Sequence, residues 1–124
     1  MSDWPLIERP LADHLQNVTG FSWVNEGGSG VPRGVVQRVG GSGDLILDEV
    51  VAVEVTLFAS GRHALWQAVQ ATNRAFAAMN PGPVGPVWVD EVSVAFGFSI
   101  DPDRGSTGHR VATATFNLTL RLQG

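Results

Sequence analysis

Cysteine is absent from the 124-residue sequence. Disulfides, thiolate nucleophiles and cysteine-ligated zinc are therefore excluded together. Because neither a disulfide nor a cysteine-bound metal can stabilise the fold, its stability must come from side-chain packing or from assembly with other chains.

Lysine is absent as well, and the 8 basic residues are arginines that stand singly along the chain. The formal net charge is −4. Binding to nucleic acid depends on clustered Lys and Arg side chains that neutralise phosphates. The charge pattern therefore argues against a nucleic-acid-binding protein.

Long apolar runs are also missing, since no segment of the sequence approaches the roughly 20 residues that a membrane-spanning helix needs. The N-terminus contains Asp3, Pro5 and Glu8 and lacks the basic and apolar blocks of a signal peptide. We therefore expect the chain to fold in the cytoplasm of the producing cell. Its length and its 44% apolar content predict one globular domain, residues 1–124.

Catalytic motifs are missing around the histidines, His14, His63 and His109. An acid–base site built from His63 with Glu54 or Asp48 is conceivable. Such residues more often lie on surfaces without a catalytic role, so we favour the structural interpretation.

Motifs for metals and cofactors are missing too. The Asp101-Pro-Asp103 turn lacks the further oxygen ligands and the closing glutamate of a calcium loop. The glycine–serine segments match neither the Walker spacing nor the dinucleotide fingerprint. The sequence predicts no enzyme, no cofactor and no metal site.

Two amphipathic helices are predicted from apolar residues at three-to-four spacing. Pro10 either kinks the first helix or marks its start near Arg9. Ser60 is the expected N-cap of the second helix, which should end before Asn80-Pro-Gly-Pro. The apolar positions are Leu6, Ile7, Leu11, Leu15 and Val18 in the first helix and Leu65, Val69, Thr72, Phe76 and Met79 in the second.

Strands are predicted at residues 21–24, 34–39 and 49–58, and the last two should pair antiparallel around a glycine-rich loop. In residues 87–98 the apolar parity changes, which predicts a bulge near Asp90 and Glu91. The residues before the bulge are Val87 and Val89, and those expected to share the other parity are Val92, Val94, Phe96 and Phe98. A last strand at 109–122 should face inward with Ala112, Ala114, Phe116, Leu118, Leu120 and Leu122. We expect an α+β fold whose largely antiparallel, mixed sheet packs against two main helices.

The strand at 51–58 has two unlike faces, since successive side chains point to opposite sides of a sheet. The odd positions are apolar and suit a core. The even positions are Ala52, Glu54, Thr56 and Phe58. This mixture is typical of a half-exposed sheet or of a surface that meets a neighbouring subunit.

Several segments of the sequence are characteristic through their order. They are Arg38-Val-Gly-Gly, Asp48-Glu, the strand at 51–58, Ala64-Leu-Trp-Gln-Ala, and the final Arg110-Val-Ala-Thr-Ala-Thr-Phe-Asn-Leu-Thr-Leu strand. In this order, and over residues 6–122, the chain resembles the tail terminator proteins of long-tailed, siphovirus-type actinobacterial phages. Each segment alone is degenerate, so the resemblance depends on their order.

The resemblance implies a virion structural protein at the head–tail junction, assembled in the host cytoplasm. Its subunits would form a homohexameric ring that caps the tail tube, ends its polymerisation and attaches the head-completion or connector protein. No catalysis is implied. DNA would pass through the bore without specific binding, and carboxylates that line the bore would repel its phosphates.

A closed ring needs two complementary patches on each subunit. We expect the loops at 40–48 and 99–108 to contribute to subunit contacts or to contacts with the tube and head proteins. The candidate interface residues are Arg38, Gly40, Gly41, Ser42, Gly43, Asp44, Leu45, Asp48, Glu54, Asp101, Asp103, Arg104 and His109.

Two alternative functions remain at this point. A head–tail connector or tail completion protein of similar fold would share the same features, and fold analogy alone does not separate it from a terminator. A small hydrolytic or ligand-binding domain is disfavoured, because its titratable groups should cluster in one pocket.

Overall fold

In the part of the chain that the structure describes, six strands form one sheet and two helices pack against it. The computed structural model describes residues 8–24, 32–41, 49–79, 81–85, 87–101 and 110–122. The elements are α1 (Glu8–Thr19), β1 (Ser22–Val24), β2 (Arg33–Gly41), β3 (Glu49–Ala59), α2 (Arg62–Ala78), β4 (Gly82–Val84), β5 (Val87–Asp101) and β6 (Arg110–Leu122).

The strand order across the sheet is β1-β2-β3-β6-β5-β4. The β1–β2 pair is parallel and the other pairs are antiparallel. This arrangement confirms the expected α+β fold with a largely antiparallel, mixed sheet. The short β4 was not predicted, because Pro81-Gly-Pro83 indicates a helix stop and proline is tolerated in a strand only at an edge.

The core lies between the helices and one face of the sheet. The odd residues of β3 from Val51 to Ala59 are fully buried, and so are the predicted inward-facing residues of β6 from Ala112 to Leu120. The rings of Phe76 in α2 and Phe116 in β6 stack with centroids 4.0 Å apart. Thr72 is buried without cost, because its hydroxyl donates a hydrogen bond to the Ala68 carbonyl at 2.8 Å.

The first helix begins at Glu8 in the described residues, so Pro10 falls in its first turn, where a missing N–H leaves no hydrogen bond unmade. Leu11 and Leu15 are buried as expected, but Val18 is 51% exposed. The apolar face therefore ends one turn earlier than the spacing predicted. Gly20, with a φ of 83°, ends the helix in the left-handed region.

The start of α2 corrects a prediction. Its N-cap is Gly61, which makes no side-chain cap hydrogen bond, and not Ser60. Ser60 lies one residue too early to bond the first-turn N–H groups. The Gly61 carbonyl instead accepts the first helical hydrogen bond from the backbone N–H of Leu65 at 2.9 Å.

Helix α1 contacts β1 and β2 on one side of the sheet and β4 on the other. At β2, the carboxylate of the buried Glu8 accepts a hydrogen bond from the backbone N–H of Arg38 at 2.6 Å. Toward β4, Pro10 packs so closely on Gly85 that a Cβ there would lie 2.7 Å from the proline Cβ. The sheet therefore curves around α1 and α2.

Trp23 in β1 fixes the other end of α1. Its indole N–H donates to the Thr19 hydroxyl at 2.9 Å, and that hydroxyl donates to the Leu15 carbonyl at 2.6 Å. Gly34 in β2, which pairs with Trp23, presents bare backbone to the ring. A Cβ at Gly34 would lie 2.5 Å from the indole, so only glycine fits there.

Gly34→Ala should destabilise the protein by about 1–3 kcal/mol, because the added methyl overpacks the site against Trp23. Urea unfolding followed by circular dichroism measures the change. Gly40→Ala in the same strand is the matched control, since its new Cβ would meet only the Ala52 Cβ at 3.7 Å. Equal stability of the two variants would contradict the packing argument.

Glu8→Ala should cost about 1.5–3 kcal/mol of unfolding free energy, because it removes a charged acceptor and leaves the Arg38 N–H without this partner. Glu8→Gln, which keeps an acceptor oxygen, should lose less. Asp13→Asn on the exposed side of α1 is the control and should change stability little. The loss of unfolding free energy should therefore decrease from Glu8→Ala to Glu8→Gln to Asp13→Asn. Any other ranking would contradict a stabilising role for this hydrogen bond.

Candidate interaction surface

Exposed apolar side chains concentrate on α2 and on the second half of β5, on both faces of that strand. Trp66 is 58% exposed, Val94 59%, Phe96 74% and Ile100 60%. Among the described residues these four make up most of the large apolar side chains left in solvent. Large exposed apolar patches on soluble proteins usually mark interaction sites.

The lengths of the two elements explain this exposure. The 17 residues of α2 span about 26 Å at 1.5 Å per residue. The 15 residues of β5 span up to about 50 Å at 3.3 Å per residue. Helix α2 lies mainly over β3 and β6. Val87 and Val89 at the start of β5, where β4 pairs with it, are buried, whereas Val94 and Ile100 further along are exposed.

Strand β5 contains three irregularities against β6, between Val89 and Glu91, between Val94 and Phe96, and between Phe96 and Ser99. The first confirms the bulge predicted near Asp90 and Glu91. The other two were not predicted, and they correct the parity assigned to the phenylalanines. Phe96 faces away from the helices, in register with Thr115, whereas Phe98 faces the core and meets the Phe116 ring edge-on at 6.1 Å.

An apolar groove of about 340 Å³ lies between the N-terminal half of α2 and the end of β5. We call it the α2–β5 groove. Its lining is almost entirely apolar, and Arg62 is the one charged residue of the described lining. The lining residues are Arg62, Leu65, Trp66, Val69, Phe98, Ile100 and Ala112.

The outer edge of β5 adjoins this groove. Strand β4 pairs with β5 only at Val87–Val89, so within the described ranges no strand pairs with that edge from Glu91 onward. Residues 92–100 carry no charge or proline, which are common means of protecting an edge strand from association. The groove and the edge together suit contact with another protein.

The opposite face of the sheet is less open than the sequence predicted. Thr56 in β3 and Val111 in β6 are buried there, with 6% and 0% exposure. The guanidinium of Arg33 lies over the Phe58 ring, 4.0 Å from its centroid. Glu54 is half-buried between Gln37 and Thr115 of the neighbouring strands.

The predicted interface residues fall into separate places. Gly40 and Gly41 belong to β2, where they pair with Ala52 and Val51, so the loop expected to begin at Gly40 begins later. Likewise Ser99 and Asp101 belong to β5, not to the loop expected from 99. Ser42, Gly43, Asp44, Leu45, Asp48, Asp103, Arg104 and His109 lie outside the described residues.

The described members of this set do not form one cluster. Arg38 pairs with Val53, next to the Gln37–Glu54 pair, so Arg38 and Glu54 point to opposite faces. Asp101 is level with Val111, four positions along β6 from the Thr115 that faces Glu54. That offset is about 13 Å along the strand.

The α2–β5 groove was missed by sequence reasoning, although two signals pointed to it. Trp66 adjoins the predicted apolar residues Leu65 and Val69 at helical spacing, which widens the apolar side of α2 beyond the predicted one. Residues 92–100 form an uncharged run longer than a buried edge strand needs. The position of α2 beside the end of β5 depends on the two later irregularities of β5, which the sequence pattern did not predict.

A second, polar cavity of about 430 Å³ lies beside α1 and is lined by Arg9, Pro10, Asp13, His14, Asn17 and Gly85. Burial lowers the pKa of His14 from its ordinary value of 6.5.

Among the described residues, no group of three or more His, Asp or Glu side chains is placed to hold a metal ion. No helix in those ranges is long and apolar enough to cross a membrane.

Comparison of the sequence with protein-family models and with curated proteins gave no match.

Acidification below about pH 6.5 should destabilise the fold through His14. Because burial lowers its pKa in the folded state, the unfolded chain binds the proton first as the pH falls, and the free energy of unfolding decreases. Urea unfolding at about pH 7.5 and pH 5 measures the decrease. His14→Gln should make this pH-dependent loss of stability smaller, whereas the exposed control His63→Gln should leave it as it is. If the loss is as large in His14→Gln as in the natural protein, His14 is not its source.

Proposed function

We propose that the protein is a structural subunit of a phage tail, a tail terminator whose homohexameric ring caps the tail tube and receives the head-completion or connector protein. The observation that carries the assembly part of the proposal is the α2–β5 groove with the adjoining open edge of β5. The order of the sequence segments carries the terminator part.

The groove supports an assembly role because its chemistry suits protein and not a small polar substrate. Its described lining offers one charged group, Arg62, among apolar side chains. A substrate site needs several convergent polar groups that fix the orientation of the ligand. An apolar surface around one exposed tryptophan is instead typical of the centre of a protein interface.

The fold supports the same role through its edges. A ring is built from contacts between two different patches of neighbouring subunits. The open edge of β5 presents backbone N–H and C=O groups, which an extended segment of a neighbour satisfies by adding a strand. A connector or tail completion protein would use such a surface equally well, so the two are separated by the effect on tube length.

The purified protein should form a ring of six 13.2 kDa chains, with a mass of about 79 kDa. Light scattering coupled to size exclusion measures the mass, with and without the tail tube protein of the same phage, since some rings assemble only on their target. The protein should also shorten tubes and make their length uniform in electron micrographs. A ring that leaves tube length unchanged would favour the connector, and a monomer under both conditions would refute assembly.

A further inference from the structure

We infer that the α2–β5 groove binds the β2–β3 connection of a second copy of this chain, residues 42–48, through Leu45, Ile46 and Leu47. This inference rests on the proposed ring and names the contact that closes it. The groove is fully within the described residues, and the occupant is identified from sequence, charge and covalent reach.

The size of the groove fits several aliphatic side chains. Its volume is about 340 Å³, whereas an apolar cavity of about 150 Å³ holds one benzene molecule. Trp66 and Ile100 at its rim are more than half exposed. Covering them with apolar side chains would remove their surface from water, which stabilises the contact.

Two segments outside the described residues contain a run of large apolar side chains, Trp4-Pro-Leu-Ile7 and Leu45-Ile-Leu47. The sequences at 25–31, 102–109 and 123–124 contain no such run. Ile7 stands four residues before the buried Leu11, so the first run continues the apolar spacing of α1 itself. The second run stands between β2 and β3 and follows the apolar spacing of neither helix.

Charge favours the second run as well. Asp44 and Asp48 flank it, and Arg62 is the exposed cation at the groove. An aspartate placed beside Arg62 would pair with it, while the apolar residues between the two aspartates enter the groove. Opposite charges at the edge of an apolar contact fix its orientation and suppress wrong partners.

Covalent reach excludes insertion into the groove of the same subunit. Gly41 is level with Val51, whereas Ala112 and Ile100 in the groove are level with Leu57, six positions further along β3. This offset is about 20 Å along the strands. The eight Cα steps from Gly41 to Glu49 have a contour length of about 30 Å. Because both ends of the connection are fixed at the sheet, its middle extends at most half of that length, about 15 Å, from them. A β2–β3 connection that enters the groove must therefore come from another copy.

The geometry also makes the contact head-to-tail. The β2–β3 connection leaves the sheet at the end where Gly41 and Glu49 lie, and the groove lies at the opposite end, where α2 begins. Each subunit thus gives its connection to one neighbour and receives the connection of another. Such a heterologous contact repeats until a ring closes.

Disulfide trapping tests this contact directly, because the natural chain has no cysteine. Ile46→Cys and Ile100→Cys are made as separate proteins of different mass, mixed, and oxidised. The expected result is a mixed disulfide of the two proteins. Val18→Cys, at a similarly exposed valine of α1, is the matched control and should give at least tenfold less mixed product with Ile46→Cys.

Other products of the same experiment would overturn the inference. A Leu6→Cys protein that cross-links to Ile100→Cys in place of Ile46→Cys would identify the N-terminal run as the occupant. A dominant disulfide between two Ile100→Cys chains would show a two-fold contact. Circular dichroism of each variant first establishes that it is folded.

The mass of the unsubstituted protein separates failure of this contact from failure of the proposed function. A ring of six chains without the Ile46–Ile100 disulfide would refute the contact and leave the ring in place. A monomer, alone and with the tube protein, would refute both.

If the ring forms, Ile46→Ser should raise the dissociation constant of its subunits at least tenfold, and Val18→Ser should leave that constant unchanged.

Discussion

The pairing of β3 with β6 beneath α2 is the interaction on which the rest of the structure depends. The two strands pair without interruption from Glu49 to Ala59, and their inward residues pack on the helix around the Phe76–Phe116 stack. Strands β2 and β5 are added on either side of this pair. Because α2 lies over this central pair and not over the flanking strands, Val94 and Ile100 on the helix side of β5 remain in solvent.

Much of this framework follows from local sequence patterns. The alternation in β3 and β6 predicted their buried faces, because a strand with one covered face needs apolar residues at every second position. The spacing of Leu65, Thr72 and Phe76 predicted the buried side of α2. The parity change at Asp90 predicted the first bulge. These features depend on near neighbours in the chain, and sequence periodicity reports such neighbours well.

The candidate site depends on features without a local signature. The later bulges of β5 decide which face Phe96 and Phe98 occupy, and their positions follow from packing across the sheet. The parallel pairing of β1, the Glu8–Arg38 hydrogen bond and the fit of Trp23 on Gly34 join residues distant in sequence. For the same reason the predicted interface set mixed residues that the fold separates, while Trp66 and Ile100 were missed.

The bulges of β5 also bear on how such a chain can change over generations. Each extra residue turns every later side chain of the strand to the other face of the sheet. Loss of one residue between Val94 and Ser99 would therefore exchange the apolar and hydroxyl sides of the strand end, without altering composition. A substitution along this strand changes one side chain, whereas an insertion or deletion changes the face of every side chain that follows it. We expect its length to be the slowest-changing property of the surface.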